Sequence, residues 1–228
     1  MRTNSNRPRP KKKQGIRNPS TTFLKACSQR EKERLDVLYK LIAAEARNDY
    51  VGDRNRVILC FIMGLGATPT ELALLKWDDL LKEADPGSAS QPYPYRHNVS
   101  IPQSRRGSRK SEATSRRIHL PFECVVHLDY LQSHGCQRNE HVFLTGRLDS
   151  QTAKRRELSA KSIKNQFHKI VGHTGISGVN IQSNRKNLIN CVIMRNSSID
   201  EISSKTGLRS HKDITRRKNI LNKSKHIK

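Results

Sequence analysis

The 228-residue chain carries 44 Lys and Arg against 20 Asp and Glu, a formal charge of +24 that points to a polyanionic partner. No apolar run approaches the roughly 20 residues of a spanning helix and the N-terminus lacks the apolar core of a signal peptide, which excludes a membrane partner and predicts a cytoplasmic, nucleoid-associated location. Aromatic residues make up only 5%, which argues against single-strand binding by base stacking and favours contact with a double-stranded DNA backbone.

Residues 1–20 hold seven basic groups, among them Lys11, Lys12 and Lys13, with no acid and no apolar periodicity. Such a segment cannot bury a core and is expected to be a disordered basic arm, either solubilising or DNA-contacting, with the second role preferred. Residues 219–228 form a basic C-terminal tail with three Lys. Between the two the charge is still +14, so the folded part, taken as residues 21–218, must itself present a basic face.

Order is expected to begin near Phe23. Leu35, Leu38, Leu41 and Ile42 recur at helical spacing within Ser28 to Arg47, an amphipathic helix. Arg54 to Gly64 is apolar on most sides, a buried helix closed by glycine. In Thr68-Pro69-Thr70-Glu71 the threonine can cap and the proline can take the first helical position, opening a helix that runs to about Trp77, itself expected in the core.

A Pro/Gly/Ser-rich connection over residues 83–98 leads to Val99-Ser100-Ile101 and Arg117-Ile118-His119-Leu120, which alternate like short strands. The intervening loop, Ser104 to Arg116, has five basic residues against one acid; it reads as too charged to pack and well placed to touch phosphate. Helix is expected again from Phe122 to Leu131, a strand at His141 to Leu144, then helices over Ser159 to Val171, Asn187 to Met194 and Ile199 to Lys205. The fold class is therefore α+β, mainly helical, with a small antiparallel sheet. Five cysteines (Cys27, Cys60, Cys124, Cys136, Cys191) without a C-x-x-C spacing predict buried, reduced thiols, and nine histidines without H-E-x-x-H predict no metal site. No cofactor is expected.

The run Gly64-Leu65, Glu71-Leu72, Leu75, Trp77 and Asp79, followed by Arg117-Ile118-His119-Leu120-Pro121, His141-Val142-Phe143-Leu144 and Ile199-Asp200-Glu201-Ile202 before Thr206-Gly207, resembles the catalytic domain of the tyrosine recombinase, or phage integrase, family over about residues 23–217. In lacking a separate N-terminal core-binding domain it is similar to the short fimbrial phase-variation recombinases. The resemblance implies a tyrosine that attacks a DNA phosphate, two arginines and a histidine or tryptophan that stabilise the charged transition state, and a hairpin lysine that protonates the leaving oxygen.

Carried over position by position, most of these groups are replaced. The first arginine falls on Gly66 or Thr68, the histidine of the H-x-x-R box on Gln182, and the second arginine is kept as Arg185. The later imidazole falls on Leu208, and the tyrosine on Arg216 or Arg217. All five tyrosines (Tyr39, Tyr50, Tyr93, Tyr95, Tyr130) precede the box. The hairpin lysine survives as Lys110 or gives way to Arg105 or Arg106, and Arg109 adds to the same basic loop. For Arg185 a phosphate contact is preferred over a surface arginine; for Gln182 a hydrogen bond to phosphate or base and a tolerated polar replacement are level. Arg216 and Arg217 are read as phosphate ligands or as part of a segment docking on a partner subunit.

The expected function is thus a DNA-binding protein of recombinase-like fold without cleavage activity, accessory to recombination or regulatory in a mobile element. Its expected partners are double-stranded DNA and either an active tyrosine recombinase or a second copy engaged through the C-terminal segment. The alternative is an active recombinase subunit whose missing groups come from a partner or from other residues of the chain.

Overall fold

A computed structural model describes residues 21–81, 98–102 and 115–223 apart from Pro121, Cys136, Arg138, Ala153, Asn196, Ser197 and Arg209. The basic arm, the connection over residues 83–97 and the hairpin tip bearing Arg105, Arg106, Arg109 and Lys110 lie outside these residues.

Helix α1 (Thr21–Ala44) begins before the expected Ser28 and lays Leu38 and Leu41 on the core. Helix α2 (Tyr50–Leu59) is capped by Asp49, whose side chain accepts from the Gly52 N–H, and continues as a π-turn over Cys60–Gly64. This segment is buried almost throughout, as its apolar composition predicts. A π-turn shifts the ladder and leaves carbonyls to be satisfied from elsewhere. Asn184 does this from a distant helix, its amide donating to Ile62 O at 2.7 Å and Met63 O at 3.3 Å.

Helix α3 (Pro69–Leu74) starts as the sequence predicts, with Thr68 Oγ1 accepting from the Glu71 N–H and Pro69 in the first turn. It stops short of Trp77, which instead opens the one-turn α4 (Trp77–Leu80) and is buried. Strands β1 (Asn98–Pro102) and β2 (Ser115–His119) pair antiparallel in the register Val99 to Ile118 and Ile101 to Arg116.

Helix α5 (Phe122–Ser133) follows, and then the largest departure from expectation. His141 makes only an isolated bridge to Lys76, and the strand is β3 (Leu144–Leu148), paired antiparallel with β4 (Arg155–Glu157). The described residues thus hold two separate two-stranded sheets where one was expected.

Helix α6 (Ala160–Thr174), capped by Ser159, buries Ile163, Phe167 and Ile170 at helical spacing. Helix α7 (Ile181–Arg195) begins six residues before the expected Asn187, because Asn180 Oδ1 accepts from the N–H groups of Gln182 and Ser183. Helices α8 (Ile199–Thr206) and α9 (His211–Lys223) complete the chain, α9 running through residue 218.

Two apolar clusters hold these parts together. The larger gathers α1 to α6 and both strands of the first sheet, with Phe61, Phe143 and Phe167 fully buried. The smaller, Ile189, Ile193, Ile202 and Ile214, ties α8 and α9 to α7. Cys60, Cys124 and Cys191 are free thiols, the first two buried.

Candidate functional site

Glu71 is the centre on which three of the sequence-derived positions, Gly66, Thr68 and Arg185, converge. It occupies the third position of α3, where its carboxylate reaches back to the Thr68 N–H at 2.7 Å and completes a capping box. On this carboxylate two arginines close. Arg116 donates from Nε to Oε1 at 3.1 Å and from Nη2 to Oε2 at 3.4 Å. Arg185 donates from Nη1 to Oε2 at 2.9 Å and from Nη2 to Oε1 at 3.2 Å.

Further guanidinium protons also go inward. Arg116 Nη1 and Nη2 donate to Leu65 O at 3.3 Å, and Arg185 Nη1 donates to Gly66 O at 2.7 Å. Five side-chain and backbone donors therefore saturate one carboxylate, and a net positive charge remains on the cluster. Burial opposes the Glu71 charge, but the two guanidiniums and the Thr68 N–H outweigh it and hold the carboxyl below its usual range. Burial lowers the Arg116 pKa from its ordinary value, with Glu71 pulling the other way.

Arg116 corrects the expectation that the loop ending there is too charged to pack: its side chain is 4% exposed. The signal was present in the alternation of β2, since Arg116, Ile118 and Leu120 share one parity and all three are buried. Asn184, next to Arg185, is likewise not marked by any local pattern, although a buried amide is the group that can satisfy loose carbonyls at a π-turn.

The two candidate positions for a first arginine have backbone duties instead. Gly66 adopts φ +62°, and a Cβ there would stand 2.7 Å from Leu188 Cδ1 and 3.6 Å from Arg185 Cα. Thr68 caps α3. Gln182 is exposed at the start of α7, its N–H donating to Asn180 Oδ1. Leu208 packs against the smaller apolar cluster, where an imidazole would be poorly solvated.

Arg116, Arg185 and Gly66 line one cavity of about 500 Å³, together with Lys205 and Thr206 from α8. Leu208, Arg216 and Arg217 line another of about 460 Å³ with Lys186, the residue next to Arg185. Gln182 lines neither of these two. Arg185 is 22% exposed at its side chain, so only one edge of the guanidinium is open to a ligand. Among the described residues no cluster of three or more His, Cys, Asp or Glu is placed to hold a metal ion, and no helix is long and apolar enough to cross a membrane.

No protein-family description and no curated protein matches the sequence. Among solved structures the chain is similar to the crystal structure of XerA recombinase, with a TM-score of 0.54 and 17% identity, over 85% of this chain and 62% of that one. The chain thus spans less than two thirds of that protein's length, and at this identity the likeness is one of fold. The α+β, mainly helical, tyrosine-recombinase-like fold read from the motif order is the fold observed.

Proposed function

We propose that this chain binds duplex DNA through its recombinase-like fold without cutting it, and acts as an accessory or regulatory factor in site-specific recombination or in the transcription of a mobile element. The observation that carries this reading is the composition of α9, where the nucleophile is expected and where Arg216 and Arg217 stand. Tyr39 and Tyr130 lie on α1 and α5, and the Tyr50 hydroxyl is engaged by the Leu144 N–H at 3.1 Å inside the protein. None of these belongs to the C-terminal helices.

The same reading assigns Arg185, Gln182, Arg216, Arg217 and the basic residues of the arm and hairpin to DNA contact. The exposed edge of Arg185 and the net positive charge around Glu71 support a ground-state phosphate ligand there. The partly apolar α9, with Ile220 56% exposed, supports docking of the C-terminal segment on an active recombinase or on a second copy.

The test is incubation with a nicked suicide duplex, which traps a covalent protein–DNA intermediate. The expected result is retention of the DNA with no covalent adduct. An adduct formed by this protein alone would overturn the proposal in favour of a recombinase subunit with another nucleophile.

A further inference from the structure

A second basic cleft lies away from the Glu71 cluster, between α2, the β3–β4 hairpin and the flank of α6, with a volume of about 800 Å³. Five cations line it, Arg47, Arg54, Arg147, Arg156 and Lys169, against a single acid, Asp149. Arg156 is bound to Asp149 and Arg47 to Asp49. No acid lies within ion-pair distance of Arg54, Arg147 or Lys169 among the described residues.

Arg54 separates this cleft from an ordinary solvated basic face. It is 5% exposed, yet its charge meets only neutral acceptors: Nη1 donates to Leu144 O at 2.8 Å and Nη2 to Asn55 Oδ1 at 3.2 Å. Its Nε is buried and finds no acceptor among the described residues. A buried guanidinium without a carboxylate carries a desolvation cost that a nearby anion would offset. The hairpin is seated closely on α2 here, since a Cβ on Gly146 would stand 2.5 Å from Val51 Cγ2. The wall that presents Arg147 is therefore fixed against the helix that holds Arg54.

The cleft also faces a different way from the exposed basic stripe of α6. Gln166 and Lys169 line it, whereas Lys161 and Lys164 are exposed and, as a pair, centre roughly 140° around the helix from that pair at 100° per residue. It shares no lining residue with the cavity of Arg116 and Arg185.

We propose that this cleft is a second phosphate-binding site, in which Arg147 and Lys169 contact a phosphate group and Arg54 supplies the fixed charge behind them. The site is independent of whether the chain cleaves DNA. The ligand is a phosphodiester of a second nucleic-acid segment or the phosphate of a small phosphorylated molecule, and the chemistry of recognition is the same for both.

The experiment compares the full chain with R147E/K169E, both changes being at exposed positions. A control with the same charge change, K32E/K40E, alters exposed residues of α1. The probes are inorganic pyrophosphate, followed by the rise in Tm, and a fluorescent 20-base-pair duplex, followed by anisotropy across a salt series. The proposal expects pyrophosphate to raise the Tm of the unaltered protein and of the control, and to lose most of that effect in R147E/K169E. A simultaneous drop of about one or two in the salt slope for duplex, beyond that of the control, identifies the ligand as DNA backbone. An unchanged slope with lost pyrophosphate response identifies a small phosphorylated ligand. An equal pyrophosphate response in R147E/K169E and unaltered protein, or an equal loss in the control, overturns the site.

Discussion

Arg185 Nη1 lies 2.9 Å from Glu71 Oε2, so the one arginine that the family resemblance retains is held by an internal carboxylate. Glu71 serves Arg116 at the same time. Removing the carboxylate leaves one nearly buried and one partly buried guanidinium facing each other without a counter-ion. Glu71→Gln is expected to destabilise the fold by about 3–5 kcal/mol, the range for breaking a buried pair from one side. Urea unfolding measures this; a loss within experimental error of zero would show that the cluster is solvated in solution.

Arg185→Ala is a milder change, because Glu71 keeps Arg116 and the Thr68 N–H. It should cost about 1–2 kcal/mol of stability through the lost charge-assisted bonds, leaving the domain folded. Duplex affinity should fall about ten-fold or more if the exposed edge meets phosphate, a contact of about 1–3 kcal/mol. Anisotropy with a labelled duplex at fixed salt separates the two effects, and unchanged affinity in a destabilised variant would assign Arg185 to structure alone.

Acid titration follows from the same carboxylate. The folded-state pKa of Glu71 is held below its unfolded value, so its contribution to stability is fully present above the ordinary carboxylate range and is lost as pH falls through the folded pKa. The stability gap between the unaltered protein and Glu71→Gln should accordingly shrink on acidification below about pH 4. Asp49, held at about 2 by the Arg47 side chain and the Gly52 N–H, titrates in the same direction but is common to both proteins and cancels in the comparison. A gap independent of pH down to acid unfolding would contradict the assignment.

How far the sequence reveals these features depends on whether local pattern or tertiary pairing decides them. The cap at Thr68, the proline at Pro69 and the buried run of α2 follow from local rules, and the structure has each. Strands β3 and β4 did not show in the sequence because Thr145-Gly146-Arg147 and Arg155-Arg156-Glu157 have no inward apolar partner, and their pairing rests on backbone bonds. Arg116 departs from expectation for the opposite reason: composition assigns it to the loop, whereas its parity with Ile118 places it inside. Arg116 occupies that position against a carboxylate, and Glu71, 45 residues earlier, is invisible to any local window. The convergence of Gly66, Thr68 and Arg185 was legible from motif order, while their internal bonding was not.

The last expectation is that a tyrosine placed at position 217 does not produce a recombinase. Arg217 lies on α9 beside Arg216 and Lys186, so Arg217→Tyr would put a hydroxyl near a basic cavity without the groups that activate it. A phosphoryl transfer needs fixed cations on the non-bridging oxygens as well as an in-line nucleophile. Gly66 cannot be exchanged for arginine without strain, because its φ is +62° and a Cβ would crowd Leu188. An arginine at Thr68 would remove the hydroxyl that accepts from the Glu71 N–H and so the side-chain cap of α3. Leu208 is packed on the apolar cluster of α7, α8 and α9, and Gln182 is exposed at the start of α7. Groups that act as a unit are grossly non-additive, so restoring one of several should give no measurable step toward cleavage. Suicide-substrate trapping with Arg217→Tyr should therefore show no covalent adduct at any enzyme excess, while duplex binding survives with a salt slope reduced by about one for the lost cation. Formation of an adduct by this single variant would mean that Arg116 and Arg185 leave Glu71 when DNA binds and serve the phosphate together.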